Sequence, residues 1–132
     1  MEIDYIALFV SDVQRSVAFY RDILGFQFTK PPGDLGCEGR SGDLKIGIYD
    51  RSWLSELFGD SPRDAFRRSR QPISGNPFLL SMTVSDLDAV YQHLLAAQVE
   101  AIAPPTEMSW GQRIIFLEDP DGNLLEIVQK PA

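Results

Sequence analysis

An α+β fold of two tandem βαβββ modules is what this sequence predicts, on three observations. A strand-length apolar run leading into a helical stripe occurs twice. Val10-Ser11-Asp12-Val13 and Val84-Ser85-Asp86-Leu87 mark the same strand-to-helix junction in the two halves. Each helix is then followed by three more strand candidates.

In chain order, Ile3 to Val10 reads as a strand, and Ser11 or Asp12 can cap the helix whose stripe is Val13, Val17, Tyr20 and Leu24. Gly25 stands where that helix ends. Gln27 to Lys30, Gly36 to Arg40 and Leu44 to Tyr49 read as short strands, separated by Pro31-Pro32-Gly33 and Ser41-Gly42-Asp43 turns. The pattern restarts with a strand from Phe78 to Val84 and a helix carrying Leu87, Val90, Tyr91, Leu94 and Leu95. Strand candidates Glu100 to Ala103, Gln112 to Glu118 and Leu124 to Gln129 complete it, with Asp119-Pro120-Asp121-Gly122 as the last hairpin turn. The expected division is one domain over 1–132: module one at 1–49, an insertion at 50–72 and module two at 73–132.

The insertion breaks the strand rhythm. It carries Trp53, Leu54, Leu57, Phe58 and Phe66, and it sets Arg51, Arg63, Arg67, Arg68 and Arg70 against Glu56, Asp60 and Asp64. It reads either as a solvated linker helix or as a lid or subunit contact.

Composition bounds the chemistry. The 132 residues are 44% hydrophobic and 23% charged, and a chain this long buries roughly 65–70% of its unfolded surface, so a core forms without disulfides or a structural metal. Cys37 is the only cysteine, which predicts a reducing, cytoplasmic setting. No apolar run approaches the roughly 20 residues of a membrane span. His93 is the only histidine, so no two-His metal site forms within one chain and a Ser/His/Asp site has one candidate base. A net charge of −7 argues against general affinity for nucleic acid.

Alternation separates the two faces of each strand. Ile6, Leu8 and Val10, Ile46 and Ile48, and Leu80, Met82 and Val84 form aliphatic faces for the helices. The opposite faces carry Tyr5, Ala7 and Phe9; Lys45, Gly47 and Tyr49; Leu79, Ser81 and Thr83; and Leu124, Glu126 and Val128. That mixture suits either a pocket with a few polar fixing groups or a partly solvated outer face.

Two stretches carry a resemblance. One is Phe9-Val10-Ser11-Asp12 running into Ser16-Val17-Ala18-Phe19-Tyr20-Arg21-Asp22-Ile23-Leu24-Gly25-Phe26. The other is Trp110-Gly111-Gln112-Arg113 running into Phe116-Leu117-Glu118-Asp119-Pro120-Asp121-Gly122-Asn123-Leu124-Leu125-Glu126. With them the chain resembles, over nearly its whole length, the vicinal oxygen chelate superfamily of lactoylglutathione lyases, extradiol dioxygenases, fosfomycin-modifying enzymes and bleomycin-resistance proteins. The resemblance implies a curled mixed sheet around a central cleft, commonly in homodimers. It also implies metal ligands on the first and fourth strands of each module, at Tyr5, Gly47, Leu79 and Glu126. Only Glu126 is a good ligand, so the usual metal site is expected to be absent, and no cofactor is expected. Asp119, Asp121 and Asn123 open a calcium-loop pattern, but Leu124 stands where glycine is needed and Lys130 where glutamate is.

Two functions follow. In the first, the protein sequesters a small-molecule ligand as bleomycin-resistance proteins do, probing planar groups with Tyr5, Phe9, Tyr49 and Trp110 or Trp53, and polar groups with Arg113 and Glu126. Arg113 has the alternative of pairing with an acidic neighbour, and each aromatic that of core packing. In the second, the protein is a lyase, isomerase or dioxygenase with an atypical metal site or with Glu126 as the catalytic general base.

Overall fold

The computed structural model describes residues 1–52 and 79–131. Residues 53–72 of the predicted insertion, with Trp53, and the strand start at Phe78 lie outside the described residues. The chain divides into two compact units, Met1–Ser74 and Gly75–Ala132, each with its own sheet.

In the first unit β1 (Tyr5–Val10) leads into α1 (Val13–Ala18), which widens into a π-helical turn over Phe19–Ile23, and then come β2 (Gly36–Ser41) and β3 (Leu44–Asp50). Of the two candidate caps, Asp12 is the one used: its Oδ1 accepts from the Arg15 N–H at 3.1 Å. The helix stops at Gly25, whose φ of +76° is open to glycine at little cost, and the Phe26 N–H reaches back to the Tyr20 carbonyl at 2.9 Å. The strand order is β1-β3-β2, with β1 parallel and β2 antiparallel to β3. Helix α1 packs on β3 and β2. It buries Val13, Val17 and Tyr20 with Leu8, Val10, Ile46 and Ile48, the aliphatic face that alternation assigns to it.

The second unit repeats the plan with β4 (Leu79–Val84), α2 (Leu87–Ala96), β5 (Thr106–Glu107), β6 (Arg113–Glu118) and β7 (Leu124–Gln129), in the order β4-β7-β6-β5. Asp86 caps α2, accepting from the Ala89 N–H at 3.0 Å. The Gln129 side chain adds a second anchor: its Oε1 accepts from the Leu87 N–H at 2.8 Å. Helix α2 buries Leu87 and Leu94 with Ile115, Leu117, Leu125 and Ile127 of the sheet.

The second strand of each predicted βαβββ unit departs from expectation. Gln27 to Lys30 is reduced to a bridge between Gln27 and Arg40, because Pro31 and Pro32 have no N–H to continue a ladder. Glu100 to Ala103 is reduced to a bridge between Ala101 and Leu117. There Pro104 and Pro105 interrupt the edge, and pairing resumes beyond them as β5, which the sequence reading misses. Among the described residues no helix is long and apolar enough to cross a membrane.

Candidate functional site

On the first sheet the register stacks three rows across one face. Tyr5 pairs with Lys45 and Lys45 with Arg40; Ala7 pairs with Gly47 and Gly47 with Glu38; Phe9 pairs with Tyr49 and Tyr49 with Gly36. Because Gly36 and Gly47 have no Cβ, the Tyr49 ring lies down across the sheet: a Cβ built on either glycine would run into it, and one on Gly47 would also meet the Tyr5 hydroxyl. The two phenols, brought over Gly47, hydrogen-bond to each other. The Phe9 ring stands beside Tyr49 with centroids 6.2 Å apart and planes tilted by 34°. The result is an aromatic platform of Tyr5, Tyr49 and Phe9 on a glycine floor, with Glu38 at its margin. Sequence reasoning places the three aromatics and Gly47 on one face but misses Gly36, Glu38 and the use of the two glycines as a floor. The signal available was period two: Gly36, Glu38 and Arg40 share one side of β2.

Burial, the bond to Tyr49 and the charge of Glu38 together push the Tyr5 phenol well above its ordinary value of 10.0, burial contributing most. The native chain therefore keeps a proton that the unfolded chain gives up above pH 10 or so. Stability falls as pH rises from there, by up to about 1.4 kcal/mol per pH unit. Thermal melts between pH 9 and pH 11.5 should show a steeper loss in the wild type than in Tyr5→Phe; parallel curves would rule this out.

On the second sheet Glu126 lies between Ser81 of β4 and Phe116 of β6. The Ser81 hydroxyl donates to Glu126 Oε1 at 2.7 Å. Their neighbours on that face include Ile114 and Val128, both buried, and Leu79, which is 42% exposed. The carboxylate is thus half-buried, oriented by a hydroxyl and set among apolar side chains.

Two expected binding residues, both in the second unit, stand apart from the Ser81–Glu126 pair. The β6–β7 register carries Ile114, Phe116 and Glu118 on the Glu126 face, so Arg113 projects to the helix side. There its Nη2 pairs with Asp88 at 2.9 Å, the acidic-neighbour alternative. That pair raises the Arg113 value and holds the Asp88 carboxyl below the usual range. Trp110 sits at the tip of the β5–β6 hairpin, 65% exposed, its indole N–H donating to Gln112 at 2.8 Å.

As a donor set for a divalent ion, the four positions implied by the resemblance fit poorly. Gly47 and Leu79 offer no side-chain donor, and the raised Tyr5 phenol resists becoming the phenolate a metal would need. Glu126 alone is a strong ligand. Among the described residues no three His, Cys, Asp or Glu side chains cluster so as to hold an ion.

The chain has relatives among known proteins. The chain is 33% identical to the uncharacterized protein YwkD of Bacillus subtilis, with 97% of this chain and 96% of that protein covered. It is 30% identical to YraH of the same organism, with 96% and 97% covered. A crystal structure of a protein of unknown function from Agrobacterium tumefaciens superposes with a TM-score of 0.73 at 31% identity, covering 99% of this chain and 95% of that one. A lactoylglutathione lyase from the same organism shares the fold, with a TM-score of 0.70 at 18% identity over 97% of this chain and 92% of that one. The family model of the Glyoxalase/Bleomycin resistance protein/Dioxygenase superfamily matches residues 2–127, and to that superfamily this chain belongs.

Proposed function

We propose that the protein binds a planar small molecule on the Tyr5–Tyr49–Phe9 platform and sequesters it without the metal ion that members of the superfamily use. The observation that carries this reading is the meeting of the two phenols over Gly47. Two positions implied as metal ligands are given over to building an apolar surface with hydroxyl edges, a surface suited to stacking. Homodimerisation and a cytoplasmic location belong to the same reading; the lone thiol of Cys37 supports the latter.

The test joins metal analysis with ligand binding. Protein purified without chelators and titrated with nickel, zinc, manganese and iron is expected to hold no equimolar ion that depends on Glu126. Indole, a neutral planar probe, is expected to bind in calorimetry and to lose about tenfold in affinity in Tyr49→Ala, in line with the roughly 1–3 kcal/mol of a stacking contact. An equimolar ion lost in Glu126→Gln, or indole binding indifferent to Tyr49, would overturn the proposal.

The alternative of Glu126 as a general base draws on the Ser81 hydroxyl, which orients the carboxylate. It would announce itself as turnover abolished in Glu126→Gln with ligand binding retained.

A further inference from the structure

Beside the platform, the first unit holds an open pocket of about 410 Å³ that Tyr49 shares with Thr29, Lys30, Pro31 and Glu38, with Gly36 in its floor. This is within the size range of small-ligand sites. Two opposite charges line it, and among the described residues neither Lys30 nor Glu38 forms an ion pair.

The backbone that carries them is anchored. The Cys37 thiol lies 3.6 Å from the Lys30 carbonyl oxygen and 3.8 Å from that of Glu38, tying the loop that carries Lys30 to β2. Burial pushes the Cys37 thiol up, so at neutral pH it serves as a weak donor in that tie. The Gly33 N–H to Gly36 carbonyl bond, at 3.2 Å, closes the same loop. Lys30 and Glu38 thus spring from anchored stretches of backbone that line one pocket, while both side chains remain exposed and able to turn toward a ligand.

We propose that this pocket recognises a dipolar ligand of the amino-acid type: an ammonium held by Glu38, a carboxylate held by Lys30, and a planar body on the Tyr49 ring. The charges explain the choice. A purely cationic ligand meets Lys30 and a purely anionic one meets Glu38, so each is disfavoured, whereas a zwitterion satisfies both. On the ammonium side, Glu38 pairs with Gly47 across the β2–β3 ladder, which puts it on the face that carries the phenol pair and its acceptor oxygens. On the carboxylate side, the Thr29 hydroxyl adds a donor.

The inference rests on the platform reading, and the experiment separates the two. Calorimetry on the full chain compares three ring-matched probes: L-phenylalanine, phenethylamine and 3-phenylpropionate. Phenylalanine is expected to bind about tenfold more tightly than either singly charged probe, as charge-assisted hydrogen bonds allow. Glu38→Gln should erase its advantage over 3-phenylpropionate, and Lys30→Gln its advantage over phenethylamine; both side chains are exposed, so neither change threatens the fold. Equal affinities for the three probes, no binding of phenylalanine, or an advantage that survives both substitutions would overturn the dipolar site. If that happens while indole still binds through Tyr49, only this inference falls; if indole binding fails as well, the platform reading falls with it.

Discussion

Replacing Gly47 with alanine is expected to destabilise the protein by about 1–3 kcal/mol, the usual range for overpacking a tight site, and to abolish indole binding. The added Cβ would lie 3.0 Å from Tyr49 Cζ and closer still to a neighbouring ring carbon and to the Tyr5 hydroxyl. Either the ring lifts off the sheet or the strand yields. At roughly 4 °C per kcal/mol for a chain of this size, the melting temperature should drop by roughly 4–12 °C. Gly33→Ala is the control, since its nearest neighbour would be the Gly36 carbonyl oxygen at an ordinary 3.6 Å. The clash predicts coupling too: combined with Tyr49→Ala, the Gly47 substitution should lose part of its cost, the Tyr5 hydroxyl still standing in the way of the added Cβ. A Gly47→Ala protein that melts with the wild type and still binds indole would refute the glycine-floored platform.

Asp119→Ala is expected to cost about 2–4 kcal/mol, because one buried side chain organises the whole β6–β7 turn. Asp119 is 5% exposed. Its Oδ1 accepts from the Asp121 N–H at 2.9 Å and the Asn123 N–H at 2.8 Å, while Oδ2 accepts from the Asn123 amide at 2.9 Å. Alanine leaves those donors without their acceptor. Asn at this position keeps one acceptor oxygen for the two backbone N–H groups, so Asp119→Asn should retain about half of the lost stability. The turn fixes the register that sets Glu126 opposite Phe116, so hydrogen exchange should quicken along β6 and β7 in the alanine variant. Unchanged exchange with unchanged stability would reduce the Asp119 network to decoration. The calcium-like pattern of Asp119, Asp121 and Asn123 thus has a physical use in the turn itself.

The repeated Val-Ser-Asp junction makes much of the architecture legible in the sequence alone. It marks two helix starts, and Asp12 and Asp86 cap them in the same way. Period-two alternation identified the faces that α1 and α2 cover, and grouped Tyr5, Phe9 and Tyr49. Registers between strands were less readable. Arg113 and Glu126 look equally available in the sequence, yet the pairing of Glu118 with Leu124 across the turn sends them to opposite sides of the sheet. The flat lie of Tyr49 needs Gly36 opposite it and Gly47 two residues before it, a coincidence that exists only once β2 and β3 are paired. Paired prolines also cut a predicted strand short in each half: Pro31-Pro32, which the sequence marks as a turn, in the first, and Pro104-Pro105 in the second.

The parallel pairings of β1 with β3 and of β4 with β7 carry a consequence for how the molecule comes into being. The β2–β3 and β6–β7 hairpins join neighbours in the chain and can close early. By contrast, β1 must wait for β3 to be synthesised, and β4 for β7. The Tyr5–Tyr49 contact spans 44 residues and the Ser81–Glu126 contact 45. Both chemically distinctive groups are therefore expected to form only with the long-range pairing in their halves. Capacity to bind should therefore report completion of folding, arriving in refolding experiments no earlier than the long-range pairing of β1 with β3.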